Sequence, residues 1–193
     1  MIGRLIEQSK RPKGLLGRFL LWTMGLAHRR LTSWGLKQLD LSTDHIVLDV
    51  GCGGGEAVDQ LSRTVTDGTV HGLDLSRTAI TKASRTTDGP EESRVGLSQG
   101  TVSALPFAEE TFDVITAFQA HYHWPRIETD LQEIHRVLRP GGTVMLVAER
   151  DKLAYHLERY ETPDATVNLL EAVGFLQCES VTHSKWLCVM GKK

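Results

Sequence analysis

The chain carries an acid, a run of glycines and a second acid at defined spacing: Asp49-Val50-Gly51-Cys52-Gly53-Gly54-Gly55-Glu56, then Asp74. Glycines at this density bring bare backbone against a ligand, because no Cβ blocks the approach. The apolar residues Ile46, Val47 and Leu48 precede the turn, so a buried strand runs into it. Such a strand–turn–helix unit suits an adenosine-type ligand. Asp49 sits near the end of that strand. A buried carboxylate is costly unless hydrogen-bonded, so Asp49 is expected to brace the turn through backbone N–H groups. Asp74 closes the next apolar stretch, where a carboxylate would accept two ribose hydroxyls. Dinucleotide sites use G-x-G-x-x-G. Here the glycines fall at 51, 53 and 55, and Glu56 occupies the position of the third dinucleotide glycine.

These residues need elements to hold them. Strands are expected at 46–50, 69–73, 94–99, 112–118, 143–148, 175–182 and 186–190. Helices are expected at 56–65, from the cap Ser76 to about 84, at 127–138, and from Thr162-Pro163-Asp164 to Gly174. Ile127, Leu131, Ile134 and Leu138 form one stripe of the third of these, which stops at Arg139-Pro140-Gly141-Gly142. Residues 14–36 read as a helical arm. Strands alternating with helices imply an α/β fold with a mostly parallel sheet covered on both faces. The two last strands, around His183-Ser184-Lys185, read as a hairpin that adds an antiparallel strand. Ligands bind outside the carboxyl ends of such strands. The glycine turn, Asp74, residues 101–107, the loop Gln119 to Trp124 and Glu149-Arg150 all fall at those ends.

Taken together, Asp49-x-Gly51-x-Gly53-x-Gly55, Asp74, Leu105-Pro106-Phe107 with Phe112-Asp113, and Leu138-Arg139-Pro140-Gly141-Gly142 resemble the class I S-adenosylmethionine-dependent methyltransferases, of the small "type 11" group. The resemblance covers residues 46–148. The arm, with His28, Leu31 and Trp34-Gly35-Leu36, is similar to that of uncharacterised bacterial and archaeal members. It implies a Rossmann-like seven-stranded sheet with its last strand antiparallel. It implies one domain over 1–193, with an arm at 1–40 and a cofactor-binding core at 41–193. The implied cofactor is S-adenosylmethionine, the product S-adenosylhomocysteine. Gly51, Cys52 and Gly53, with Asp49 and Gly55 shaping the turn, would offer backbone to the methionine portion. Asp74 would bind the ribose and Leu75 would lie against the adenine. Thr101, Val102 and Ser103 would flank the adenine edge, and Phe118 and Gln119 would line the methionine side. Many members have an acid where this chain has Thr101, whose hydroxyl accepts a hydrogen bond more weakly.

Methyl transfer from a sulfonium asks the protein to align, to exclude water and, for a protonated acceptor, to remove a proton. His121, Tyr122, His123 and Trp124 crowd the loop after the fourth strand. Either His121 or His123 serves as a general base or positions the substrate, or these rings pack beneath the arm and shape the pocket. No third ligand has suitable spacing from His121-x-His123, so no metal is expected. Glu149 either faces the pocket or pairs with Arg150 or the arm. His28 either contacts cofactor carboxylate or substrate, or is an ordinary surface histidine. The connection from Arg150 to Thr162 is short, so the roof is expected mainly from residues 1–36 and the 119–126 loop.

Residues 1–37 carry eight Lys or Arg against one acid, Glu7, while the remainder carries 14 bases against 23 acids. A basic arm of this kind suits an anionic substrate, a membrane surface or nucleic acid, or it docks on the acidic body. The apolar stretch Leu15 to Ala27, interrupted by Arg18, is too short for a membrane span and lacks a signal-peptide cleavage site. Cys52, Cys178 and Cys188 show neither a disulfide framework nor a zinc spacing, which fits a reducing cytoplasm. The leading reading is a cytoplasmic methyltransferase acting on a small organic or lipid-like molecule. The alternatives are RNA or protein methylation, peripheral membrane contact by the arm, or a non-catalytic cofactor-binding module. The sequence after the fourth strand, Gln119-Ala120-His121-Tyr122, lacks the Asn/Asp-Pro-Pro-Tyr/Phe signature of base amino-group methylation.

Overall fold

The computed structural model describes residues 28–193. The described residues begin in a helix, α1, over 28–36. It then alternates: β1 (Ile46–Val50), α2 (Glu56–Thr64), β2 (Thr69–Asp74), α3 (Arg77–Thr86), β3 (Val95–Gln99), β4 (Phe112–Phe118), α4 (Ile127–Val137), β5 (Leu138–Glu149), α5 (Arg150–His156), α6 (Pro163–Val173), β6 (Leu176–His183) and β7 (Trp186–Lys192). Short 3₁₀ turns lie at Glu92–Arg94, His121–His123 and Glu158–Tyr160. The order in the sheet is β3-β2-β1-β4-β5-β7-β6. Only β7 runs antiparallel to its neighbours β5 and β6. The expected seven-stranded Rossmann-like sheet is what forms.

Side-chain alternation explains the layers. Along β5, Val144, Leu146 and Ala148 face one cluster with Leu131 and Ile134 of α4 and Leu169 and Leu170 of α6. Met145 and Val147 face the other side, against Leu31 of α1. Both sets are buried, so β5 reads as continuously apolar, as strands covered on both faces do. The chain steps outward from β1 to β2 and β3, then returns to pair β4 with β1. That reversal opens a crevice at the carboxyl ends of β1 and β4.

Helix ends follow local chemistry. Ser76 Oγ accepts from Ala79 N at 3.3 Å, and Thr162 Oγ1 from Ala165 N at 3.1 Å. Gly174 closes α6 in the left-handed conformation. α1 docks on the body: Arg29 Nε donates to Glu56 Oε1 at 2.8 Å and Ser33 Oγ to Gln60 Oε1 at 2.7 Å. For this part of the basic arm, Arg29 is docked on an acidic residue, Glu56. Residues 1–27, which carry the rest of its charge and the 15–27 apolar stretch, lie outside the described residues.

One expectation is corrected. Leu138 is not the last residue of a helix but the first of β5, pairing with Phe112 before the register shifts and Val114 pairs with Thr143. The Pro140-Gly141-Gly142 segment loops out between those pairs, held by Arg139 on Asp113 at 2.7 Å and by Gly141 N on Lys193 O at 2.8 Å. The 150–162 connection, to which no element was assigned, contains α5 and a 3₁₀ turn. Seven residues with one buried apolar side chain, Leu153, are too few to show a helical period.

Candidate active site

The turn after β1 is held by the end of β2. Gly51 N and Cys52 N both donate to Leu73 O, at 2.7 and 3.1 Å. Gly53 N donates to Asp74 Oδ2 at 2.9 Å, and Ser76 N to Asp74 Oδ1 at 2.8 Å. Asp74 is therefore the acid that braces the turn. Asp49 is not: it is buried, and accepts from Thr116 Oγ1 of the neighbouring strand at 2.7 Å. Burial pushes its carboxyl up to about 7, with the Asp74 charge adding to the shift against the Thr116 bond. The N–H groups of Gly51, Cys52 and Gly53 are already used within the protein, so the backbone these residues offer a ligand is their carbonyl side.

What the glycines supply is shape. Gly51 has φ +79°, and a Cβ there would lie 2.5 Å from the Cβ of Ala120. At Gly55, φ +84°, a Cβ would lie 2.9 Å from Ala83 Cα, so this glycine seats α3 against the turn. The close approach for which a dinucleotide fold uses position 56 is made one residue earlier. Glu56 is thereby left on the surface to bind Arg29.

A cleft of about 310 Å³ opens beside the turn, at the carboxyl ends of β1, β2 and β4. Of the expected cofactor residues it is lined by Gly51, Asp74, Leu75, Thr101, Val102 and Gln119, and His123 and Trp124 close its other end. Leu75 is 73% exposed at its edge. Thr101 Oγ1 accepts from Ser103 N at 3.3 Å, folding residues 101–104 into a tight turn. Gln119 sits at φ +54°, uncommon for a residue with a side chain, and its Oε1 accepts from Glu149 N at 3.1 Å.

The other expected cofactor residues stand away from the lining. Asp49, Cys52, Gly53 and Gly55 build the turn from behind. Ser103 donates instead to the fully buried Asp130 at 2.6 Å, on α4. The Phe118 ring packs beneath α1, 2.8 Å from where a Gly35 Cβ would be. Sequence reasoning missed Gly100, Ala120 and Pro125, which also line the cleft. The signal for Ala120 was its smallness directly after a strand end, a position that meets the glycine turn.

At the His123–Trp124 end of the cleft the two loop histidines separate. His121 is 3% exposed, its Nδ1 has no partner, and burial lowers its pKa to about 3. It packs edge-on against Tyr122 and Trp124 and is corrected from candidate base to packing residue. His123 is exposed on the cleft, with its pKa lowered by desolvation and by the neighbouring His156 and Lys152. Tyr122 is buried beneath, its hydroxyl pushed up to about 12 by burial and by the Glu149 charge. It stacks on His156, ring centroids 5.4 Å apart, so α5 adds to the roof that was expected mainly from the arm and loop. Glu149 pairs with Lys185 at 2.8 Å, not with Arg150 or α1. His28 lies exposed on α1, outside the cleft lining, with Glu149 and Lys152 close enough to act on its titration. Among the described residues no three His, Cys, Asp or Glu side chains converge as a metal site.

A family model described as "Methyltransferase domain" matches residues 48–146. "Methyltransferase GfsG" of Streptomyces halstedii is 37% identical over 121 residues, 62% of this chain and 43% of that protein. "Fatty-acid O-methyltransferase" of Mycolicibacterium smegmatis is 34% identical over 120 residues, 61% of this chain and 39% of that protein. The crystal structure of YcgJ from Bacillus subtilis superposes with TM-score 0.68 at 25% identity, over 80% of this chain and 71% of that one. The chain thus spans about two fifths of the length of these two curated relatives. With its sheet order, its glycine turn and a family match over half its length, the chain belongs to the methyltransferase-domain family of class I, S-adenosylmethionine-dependent proteins.

Proposed function

We propose that this chain is a methyltransferase that binds S-adenosylmethionine in the 310 Å³ cleft and methylates a small organic or lipid-like acceptor entering past His123. The observation that carries this reading is Asp74. Its carboxylate fixes the turn through Gly53 N and Ser76 N and also lines the cleft, where each oxygen keeps a lone pair for a ribose hydroxyl. The fit extends along the cleft. Leu75 offers an exposed apolar side chain for the adenine. Residues 101 and 102 form its edge. The N–H groups of Gly51, Cys52, Gly53 and Gly55 are committed, which favours backbone carbonyl oxygens as the turn's acceptors for an ammonium. Gln119 borders the same space and is held in a strained conformation by the Glu149 N–H.

When bound, the cofactor supplies a methyl group on a positively charged sulfur. The chain's own task is to seat that group, align the acceptor and keep water out. Trp124, Ala120 and Pro125 give the acceptor end an apolar wall, which supports an organic or lipid-like acceptor, as does the name of the fatty-acid relative. His123 is placed to take a proton or to hold the acceptor. The reading also takes residues 1–40 as an arm on a 41–193 core, and the cytoplasm as its location. Among the described residues no helix is long and apolar enough to cross a membrane.

Titration calorimetry with S-adenosylhomocysteine tests the proposal. Binding is expected with wild type and a loss of roughly a hundredfold with Asp74→Ala, about 2.7 kcal/mol for a charge-assisted contact. No binding by wild type at millimolar ligand overturns it.

A further inference from the structure

Resting on that reading, we infer that the methyl acceptor is an organic monocarboxylic acid, its carboxylate held at the mouth of the cleft by Lys152, His156 and His123. α5 sorts its charges by face. Lys152 and His156 are four residues apart and so share one face of the helix. That face meets the cleft loop: the His156 ring lies 4.8 Å from that of His123 and 5.4 Å from that of Tyr122. Arg150, Asp151 and Ala154 line a different hollow, with Lys185 and Thr162, so the helix's acid is turned away from the loop.

The remaining charges near His123 are accounted for. Glu149 is held by Lys185 at 2.8 Å. The Tyr122 phenol is buried and un-ionised, and His28 on α1 is a third imidazole on this side. Among the described residues no carboxylate pairs with Lys152. Among the described residues, one unpaired ammonium and two imidazoles thus flank the cleft loop: His123 lines the cleft, and Lys152 and His156 lie on the face of α5 beside it. All three carry N–H donors, and an ammonium has no acceptor capacity. A single negative charge complements this set, and the apolar wall of Trp124 and Pro125 suits the organic part of the molecule.

The chemistry balances without a base. A carboxylate is already ionised at neutral pH. Its oxygen forms a bond to the methyl carbon as the methyl–sulfur bond breaks, and that electron pair stays on sulfur. The products are a neutral methyl ester and S-adenosylhomocysteine, and no proton is lost. His123 and His156 are then binding groups.

The test pairs acids with alcohols of the same skeleton: octanoate with octanol, and benzoate with benzyl alcohol. S-adenosylhomocysteine release and ester formation are followed by mass spectrometry. Acids are expected to turn over and alcohols not. Lys152→Met should raise KM for the acid roughly tenfold with kcat nearly unchanged, the loss of one exposed charge-assisted contact. Lys152→Arg should restore it, and S-adenosylhomocysteine affinity should be the same in all three proteins. Turnover of alcohols only, turnover of no acid while S-adenosylhomocysteine binds, or a Lys152→Met KM equal to wild type overturns the acid assignment. Loss of S-adenosylhomocysteine binding by wild type instead overturns the methyltransferase reading beneath it.

Discussion

The two ends of the cleft are built differently. The glycine-turn end, proposed for the cofactor, is a backbone construction: four main-chain N–H groups, from Gly51, Cys52, Gly53 and Ser76, converge on Leu73 O and Asp74. The other end, proposed for the acceptor, is a stack of rings. Tyr122, His123 and His156 meet at 4.4–5.4 Å, and His121, buried beside them, leaves its Nδ1 unpartnered. Hydrogen bonds to backbone fix position to tenths of an ångström. Ring contacts fix it less tightly and tolerate substitution of similar volume. One end is rigid enough to hold a fixed ligand, and the other can be retuned for different acceptors.

Breaking the rigid end should cost most. Gly51→Val places a branched side chain at φ +79° against Ala120, so loss of about 3 kcal/mol or more of stability is expected, together with ligand binding. Thermal unfolding and calorimetry measure both. A Gly51→Val protein that melts like wild type would show that the turn is looser than its geometry says.

Asp49 sharpens the same end through pH. Its folded-state pKa, about 7, lies above the ordinary carboxylate value of roughly 3.9. The stability it lends is therefore full below about pH 4 and declines as pH rises towards about 7, because the unfolded chain ionises first. Asp49→Asn should remove that decline. The variant should gain thermal midpoint relative to wild type at pH 8, with the gain shrinking towards pH 4. A difference independent of pH would mean that Asp49 is ionised in the fold.

At the stacked end the two histidines should respond in opposite ways. His123→Gln should reduce turnover about tenfold or more by removing a group on the cleft, with stability changed by less than about 0.5 kcal/mol, as for an exposed residue. His121→Phe should retain turnover within about threefold and hold or raise the midpoint, since it removes an unpartnered buried nitrogen. Equal kinetic losses in both variants would erase the distinction drawn here. The smallest effect is expected for Lys185→Ala, which opens a partly exposed pair with Glu149 and should cost under about 1 kcal/mol by denaturant unfolding.

The difference between the ends also governs how each read in the sequence. The glycine turn, the Ser76 and Thr162 caps and the seven strands were legible because each is a local device, set by the residues that carry it. Asp74 was legible as a residue of the cleft, but its other duty, bracing the turn, was assigned to Asp49. That assignment turned on what lies beside Asp49 across the sheet, and Thr116 is 67 residues away. α5 escaped because Leu153 alone anchors it, and with it escaped the contribution of His156 to the roof.

By itself, then, the sequence determined the α/β fold, the glycine turn and the cofactor class. Backbone conformation and hydrophobic period are properties of short stretches, and those stretches carry them wherever they are. The tertiary structure alone decided which acid braces the turn, and which histidine meets the cleft and which is entombed. Each of those depends on burial and on partners distant in the chain, and desolvation and long-range pairing have no counterpart in local spacing.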